Sequence, residues 1–486
     1  MTRSRLPSGI PGLDIILNGG YLESGVYIIQ GKPGAGKTIF ANQLCFAHAA
    51  RGGKAAYVTL LTESIPRMFQ NLSTMSFFDN SRSPEQIYYV SAFEELESSG
   101  LQGLLKLIRG EIRKRCPSVL VLDGMVSAAE RAESRVELRK FIHELQGYAS
   151  LFPCTIFLLG TTSTESPVQV EHTMVEGVID LADMSQLNES QRALQVRKYR
   201  GGGYIAGRHA FSISDEGVIV YPRLESLIGS PDVPLDRREP MQTGVAGLDA
   251  LSGVGGLRSS SSTLLIGPHG AGKTILGAQF LSGSCKEQPG LLFCFNEPPA
   301  DVLAHAGSLG LPLTELQQQG VLHTYWRPKV ENILDEVGQR LLRMVEAHQV
   351  RRVFIDGLSG FTSAAIYPQR IERFVAALIL ELRRMGATSI FSLDACDNAG
   401  HLPLSAEGLP ASFDNVIVLR VEESGRAVRR LLSVTKMRGC GFVDALHPYR
   451  VSRTGMIVGG EAETNSQTSS GQAGLPSTDT AGNERA

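Results

Sequence analysis

Gly31-Lys-Pro-Gly-Ala-Gly-Lys-Thr38 is followed, 236 residues later, by Gly267-Pro-His-Gly-Ala-Gly-Lys-Thr274. Both stretches fit G-x-x-x-x-G-K-S/T. The pattern carries a mechanism: backbone N–H groups close around phosphates, the lysine reaches the β and γ oxygens, and the hydroxyl binds Mg2+. Gly31, Pro33, Gly34, Ala35, Gly36, Lys37 and Thr38 are the candidate nucleotide-binding residues of the first loop. Gly267, His269, Gly270, Ala271, Gly272, Lys273 and Thr274 are those of the second. The flanks agree with this reading. Val26-Tyr-Ile-Ile-Gln30 and Thr263-Leu-Leu-Ile266 are apolar, strand-like runs, and helix-like patterns follow at 39–46 and 275–281. Strand, glycine-rich loop, helix is the context that the chemistry requires.

The duplication extends well past the loops. Ser8-Gly-Ile-Pro-Gly-Leu-Asp14 matches Thr243-Gly-Val-Ala-Gly-Leu-Asp249, and Val119-Leu-Val-Leu-Asp123 matches Val353-Phe-Ile-Asp356. Lys198-Tyr-Arg200-Gly matches Lys436-Met-Arg438-Gly. Offsets of 235, 236, 233 and 238 over a whole domain mean tandem copies. Copy one spans 1–228, a polar Pro-bearing linker 229–240, and copy two 241–459. The Ser/Thr/Gly-rich stretch 460–486 lacks the apolar residues to offset its ordering entropy and is expected to be a disordered tail.

Within copy one, strand-like runs at 26–30, 55–61, 119–123 and 155–161 alternate with helical stretches, including 135–149. That alternation predicts an α/β fold with a mainly parallel sheet. Each copy ends in a hairpin pattern, 178–200 around Asn188 and 416–438 around Gly425. A P-loop sheet with a C-terminal antiparallel hairpin is RecA-like by analogy.

At 486 residues, 42% hydrophobic and 20% charged, each copy has the material for its own core. The net charge of −2 argues against a protein that coats polyanions. Seven scattered cysteines form no C-x-x-C pair, so neither a zinc site nor a disulfide framework is indicated. Cys154 and Cys294, in or beside apolar runs, read as buried thiols. With no apolar signal core and no 18-residue apolar run, the expected location is the cytoplasm, with no membrane contact.

Phosphoryl chemistry needs three further kinds of group. Asp123 and Asp356 each end an apolar strand, where a second Mg2+-ordering carboxylate belongs, opposite Thr38 and Thr274. A group that orients or deprotonates the nucleophile is expected at the end of the second strand, where Glu63 and Glu297 stand 234 apart. Lys198 with Arg200, and Lys436 with Arg438, are i, i+2 pairs on strands, so each pair projects from one face. Such a pair suits the charge that develops on a transferring phosphoryl group.

On these motifs the chain from about residue 5 to 458 resembles the KaiC family of tandem RecA-like ATPases. The endings VRKYRGGG and VTKMRGCG, and the closing strand that begins His209-Ala-Phe-Ser-Ile-Ser-Asp, share the likeness. The resemblance implies ATP as the nucleotide and a homo-hexamer with nucleotides between protomers. It also implies that the Lys and Arg pairs reach across the interface. The sequence departs from the family twice. Where KaiC has adjacent glutamates, this chain has Asn296-Glu297 and Thr62-Glu63. Where KaiC phosphorylates an adjacent Ser-Thr pair, this chain has Pro410-Ala-Ser-Phe-Asp414, with Ser412 and Ser405 as nearby hydroxyls out of register.

The reading is therefore an ATPase that couples nucleotide state to an unknown protein partner, with scope for weak serine/threonine kinase activity. Two others compete with it: a nucleotide-gated scaffold without turnover, and a DNA-handling motor. Stretches 162–177 and 394–414 contain no Lys or Arg, which disfavours nucleic acid as a partner.

Overall fold

The computed structural model describes residues 4–62, 64–162, 171–186, 189–228, 239–330, 332–398, 401, 408–424 and 427–459. Glu63, Asn188, Ser405, Gly425, most of the linker 229–240 and the tail 460–486 lie outside the described residues.

Two nine-stranded sheets are present, one in each copy. The first contains β1 (Val26–Gly31), β2 (Ala55–Thr59), β3 (Ile87–Ser91), β4 (Val119–Asp123), β5 (Thr155–Gly160), β6 (Gly177–Gln186), β7 (Glu189–Tyr199), β8 (Arg208–Ser214) and β9 (Gly217–Tyr221). Their order across the sheet is β3-β2-β4-β5-β1-β6-β7-β8-β9. The second contains β10 (Ser262–Gly267), β11 (Gly290–Cys294), β12 (Leu322–Trp326), β13 (Arg352–Asp356), β14 (Thr388–Asp394), β15 (Asn415–Ser424), β16 (Ala427–Met437), β17 (His447–Ser452) and β18 (Gly455–Val458). Its order is β12-β11-β13-β14-β10-β15-β16-β17-β18, the same arrangement strand for strand. From β3 to β6 neighbours run parallel; from β6 onward they run antiparallel.

All six residues of β1 are buried, as they are in β10. A parallel strand covered on both faces reads as a continuous apolar run, and its alternation sends neighbours into opposite layers. Tyr27 and Ile29 pack with Phe40 and Leu44, whereas Val26 and Ile28 pack with Leu104 and Phe141. Leu265 meets Leu276 and Phe280, whereas Leu264 and Ile266 meet Phe374 and Leu378.

The helix after each loop, α1 (Lys37–Ala50) and α2 (Lys273–Ser282), starts behind a glycine at φ +94°. A side chain on Gly36 would also put its Cβ 2.4 Å from Ile213 Cδ1. One glutamine then pins each helix to the last strand of its sheet. Gln43 accepts from Val218 N at 2.7 Å and donates to its carbonyl at 3.1 Å. Gln279 does the same with Met456, at 2.6 and 3.2 Å.

The sequence expectations differ from the structure at the edges. The run 55–61 leaves the ladder after Thr59, and Leu60 N turns to the Asp123 carbonyl at 2.8 Å. The expected hairpin in each copy is followed by a second, β8–β9 and β17–β18. β8 and β17 mix polar with apolar residues, and β9 and β18 are apolar runs of five and four residues, so all four carry a weak periodic signal. Cys154 and Cys294 are buried, and burial pushes the Cys154 thiol up to about 12.

The end of copy one docks on copy two. Leu224 enters the second core, and Leu224 N donates to Asp335 at 3.2 Å. Arg370 donates to both Glu225 and Asp335, each at 2.9 Å. Burial raises the Asp335 carboxyl despite this arginine; at Glu225 burial pushes up too, but the arginine's hydrogen bonds outweigh it and the group is lowered. The two carboxylates share one guanidinium, and the deeper one is left the less favourably charged.

His209 supports the same corner. It is fully buried, accepts from Arg223 N through Nδ1 at 3.1 Å, and donates through Nε2 to the Ile205 carbonyl at 3.0 Å. Burial, the largest influence, pushes its pKa from 6.5 down to about 4. The folded state thus binds this proton less readily than the unfolded chain. The stability it supports is complete above about pH 6.5 and is lost as the pH falls toward 4. We predict that wild type loses about 2–3 kcal/mol more unfolding free energy than His209→Gln between pH 7 and 4.5, measured by urea titration. Parallel pH profiles for the two proteins would refute this.

Candidate functional site

Both P-loops close on themselves. Lys37 Nζ donates to the Gly31 and Lys32 carbonyls at 2.8 and 3.0 Å. Lys273 Nζ donates to the Gly267 and Pro268 carbonyls at 2.7 and 2.8 Å. Burial, opposed by Asp123, lowers the Lys37 pKa. Gly34 (φ +82°) and Gly270 (φ +74°) form the open side of each loop, where an added Cβ would meet nothing within 4 Å. Ala35 and Ala271 are buried beneath, and the Ala271 carbonyl accepts from Tyr449 OH at 2.6 Å. Pro33 is exposed. A concave, donor-lined loop with space above its glycines fits a polyphosphate.

The expected metal pairs are adjacent. Thr38 Oγ1 donates to Asp123 Oδ2 at 3.3 Å, and Thr274 Oγ1 to Asp356 Oδ2 at 2.9 Å. Each carboxylate has a second support, Tyr57 OH on Asp123 at 2.6 Å and Ser392 Oγ on Asp356 at 2.7 Å. The pairs offer oxygen donors alone, which fits a hard divalent cation such as Mg2+.

Glu297 and Asn296 line a cavity of about 670 Å³ together with His269, Lys273, Thr274, Asp356, Trp326 and Lys329. The candidate base of copy two therefore shares a chamber with its P-loop lysine and metal pair. Cys294 lies beside it, its thiol pushed up by burial first and then by Asp356 and Glu297. Glu63, the counterpart in copy one, lies outside the described residues.

The cation pairs lie elsewhere. Lys198 stands opposite Val178, which is level with Ile28; Leu194 is the residue level with Gly31, where the P-loop begins. Lys198 and Arg200 thus sit at the starting end of β1, away from their own phosphate loop. Lys436 stands opposite Val416, level with Leu264, by the same arrangement. A β-bulge precedes each lysine, and bulges re-aim side chains. Lys198 donates to the His172 and Thr173 carbonyls, and Arg200 to Thr173. Lys436 donates to the Pro410 and Ala411 carbonyls, and Arg438 to Ala411. Burial and the neighbouring arginine lower both lysine pKa values. The stretch 410–414 therefore supplies main-chain acceptors, and Phe413 fills the core against Phe391.

Four residues escaped the sequence reading. Asp394 forms a 2.9 Å ion pair with Lys273, and Lys329, which lines the same chamber, donates to Ser359. Asp394 ends an apolar strand as Asp123 and Asp356 do, so that signal was present. Tyr57 and Ser392 carry no such signal, since their role depends on cross-strand register.

A family model described as "ATPase: KaiC" matches residues 6–225 and 241–463. The circadian clock oscillator protein KaiC of Acaryochloris marina is 23% identical over 470 residues, covering 93% of this chain and 88% of that protein. Its namesake from Parathermosynechococcus lividus is 23% identical over 472 residues, covering 93% and 84%. The circadian clock protein KaiC3 of Synechocystis is 23% identical over 478 residues, covering 94% and 92%. The family model spans both repeats and most of the chain, so the chain belongs to the KaiC family of ATPases.

Each loop has its own lysine, which predicts separable sites. Lys37→Ala and Lys273→Ala should each remove nucleotide from one copy and leave the other filled, since each deletes one phosphate-neutralising cation. Counting bound nucleotide per chain checks this, and two retained nucleotides in either variant would count against it.

Proposed function

We propose that this member of the KaiC family of ATPases works as an ATP-bridged homo-hexamer that hydrolyses ATP slowly and couples nucleotide state to binding of a protein partner. The observation that carries the reading is the placement of the cation pairs. Lys198, Arg200, Lys436 and Arg438 sit at the strand ends opposite their own P-loops, so their charge is best used on the nucleotide of a neighbouring protomer. The units of assembly are copy one, 1–228, and copy two, 241–459, joined by the linker 229–240.

In each copy the P-loop backbone and its lysine hold the β- and γ-phosphates. Thr38 with Asp123, and Thr274 with Asp356, would hold Mg2+, which neutralises charge on the phosphate oxygens when bound. Glu63 and Glu297 orient the attacking water and accept its proton. The neighbour's Lys and Arg oppose the charge that builds on the phosphoryl oxygens. One carboxylate stands in each copy where the family has two, so water is held less well and turnover is slow. Asn296 beside Glu297 favours a second reading for copy two, nucleotide binding without turnover. Weak kinase activity would have Ser412 as its nearest acceptor, but Ser412 is partly buried. No helix among the described residues is long and apolar enough to cross a membrane, and a cytoplasmic location accords with that.

ATP bound between protomers stabilises the assembled state by mass action. Light scattering at fixed protein concentration should show the mass rising to that of a hexamer on adding Mg-ATP. A monomer under saturating Mg-ATP would sink the proposal.

The water-orienting role has its own test. Glu63→Gln and Glu297→Gln should each reduce phosphate release from one copy and spare nucleotide binding, with the double variant nearly inactive. A loss on the order of 10²-fold is what a positioned base contributes. Parental phosphate release by the double variant would reduce both glutamates to carboxylates at the starts of helices.

A further inference from the structure

An ammonium has three donors, and three acceptors surround that of Lys273. They are the Gly267 carbonyl at 2.7 Å, the Pro268 carbonyl at 2.8 Å and Asp394 Oδ1 at 2.9 Å. The two carbonyls belong to the loop that the lysine closes. Asp394 is the last residue of β14, paired with Gly267 in the parallel ladder, and its carboxylate is 28% exposed into the cavity. His269 Nδ1 stands 3.5 Å from the same carboxylate oxygen.

Copy one differs at this point. Its ladder pairs Gln30 with Gly160, just as Ile266 pairs with Leu393. The residue that follows, in the place of Asp394, is Thr161. The two P-loops are matched in sequence and closure, yet among the described residues only the second receives a carboxylate from this strand end.

We propose that Asp394 is a specificity-determining residue of the second nucleotide site, an internal anion that competes with the terminal phosphate for the Lys273 ammonium. The inference rests on the nucleotide-binding reading above. A phosphate oxygen that reaches Lys273 must displace one of its three acceptors. The carbonyls are fixed by the loop; the carboxylate is on a side chain and carries the charge that repels a phosphate. A triphosphate, with the larger negative charge nearest the lysine, is opposed more than a diphosphate. The second copy therefore favours triphosphate over diphosphate less than the first copy does.

The test uses the full chain carrying Lys37→Ala, which leaves the second site to be read alone. ADP and a non-hydrolysable ATP analogue, each with Mg2+, are titrated calorimetrically. Asp394→Thr installs the residue of copy one, and Asp394→Asn keeps size and removes charge. Both should tighten the ATP analogue by at least roughly tenfold, a fraction of the repulsion between unit charges a few ångströms apart, and should tighten ADP less. In the reciprocal chain, Thr161→Asp with Lys273→Ala should weaken the analogue at the first site. Unchanged or weaker analogue binding in both Asp394 variants, with melting curves like the parent's, overturns the inference and leaves the nucleotide reading standing. That outcome with reduced turnover would instead make Asp394 a water-orienting group. If the parent binds neither nucleotide, both readings fall together.

Discussion

Each P-loop depends on a lysine that bonds back to the carbonyls at the loop's own start. That bond holds the loop open-faced, with its glycines turned outward and its ammonium beneath. The loop can keep this shape because it is anchored at both ends by buried structure. The strand before it is buried along its length, and the helix behind it is pinned to the last strand by Gln43 or Gln279. The antiparallel half of each sheet therefore contributes to the nucleotide site without lining it. Its final strand fixes the direction in which the P-loop helix points, and hence the direction of the loop's backbone N–H groups.

The parallel topology explains why the chemistry gathers where it does. All the parallel strands end at one edge, so Gly267, Cys294, Asp356 and Asp394 arrive together although they are far apart in sequence. The crevice beyond the strand ends is the general place for ligands in such sheets. The antiparallel strand β7 reverses this, and Lys198 is carried to the opposite edge. One sheet thus presents an anion-binding loop at one end and a cation pair at the other. That polarity is what a ring of identical protomers requires if each is to complete its neighbour's site.

Much of this was legible in the sequence because its signals are local. The P-loops, the strand-ending Asp123 and Asp356, and the apolar runs each declare themselves within ten residues. Repetition did the rest, since a match in both copies separates a built feature from an accident of composition. What was not legible depends on register between distant strands. Tyr57 reaches Asp123 only because β2 lies beside β4, and nothing near Tyr57 in sequence says so. The sequence also could not say which nucleotide the cation pairs serve. The proposal that they serve a neighbour's nucleotide rests on the pairing of Lys198 with Val178, and on the bulge beside it.

Duplication preserved the scaffold and released the residues around it. In copy one, Gln30 donates to Asp180 at 2.7 Å and accepts from His172 Nε2 at 2.8 Å, while Arg197 donates to Asp180 at 2.5 Å. In copy two, Ile266 and Val418 occupy the places of Gln30 and Asp180, and that junction is apolar. Copy one thus links its P-loop strand, by a chain of polar contacts, to the segment whose carbonyls hold Lys198. Copy two keeps the corresponding carbonyls at Pro410 and Ala411 and reaches β10 by another route: buried Asp414 accepts from Ser262 N and Oγ at 2.9 and 3.1 Å and from Arg383 at 2.6 Å, and stands 3.9 Å from Arg438. A buried polar chain is costly unless every member is satisfied, and when satisfied it fixes one arrangement of its strands. Each copy therefore has polar contacts that run from its P-loop strand toward its own cation pair, through different residues. Inside its nucleotide chamber copy two adds the pair of Lys273 and Asp394. The two halves share a fold and a loop, and differ in where charge is buried.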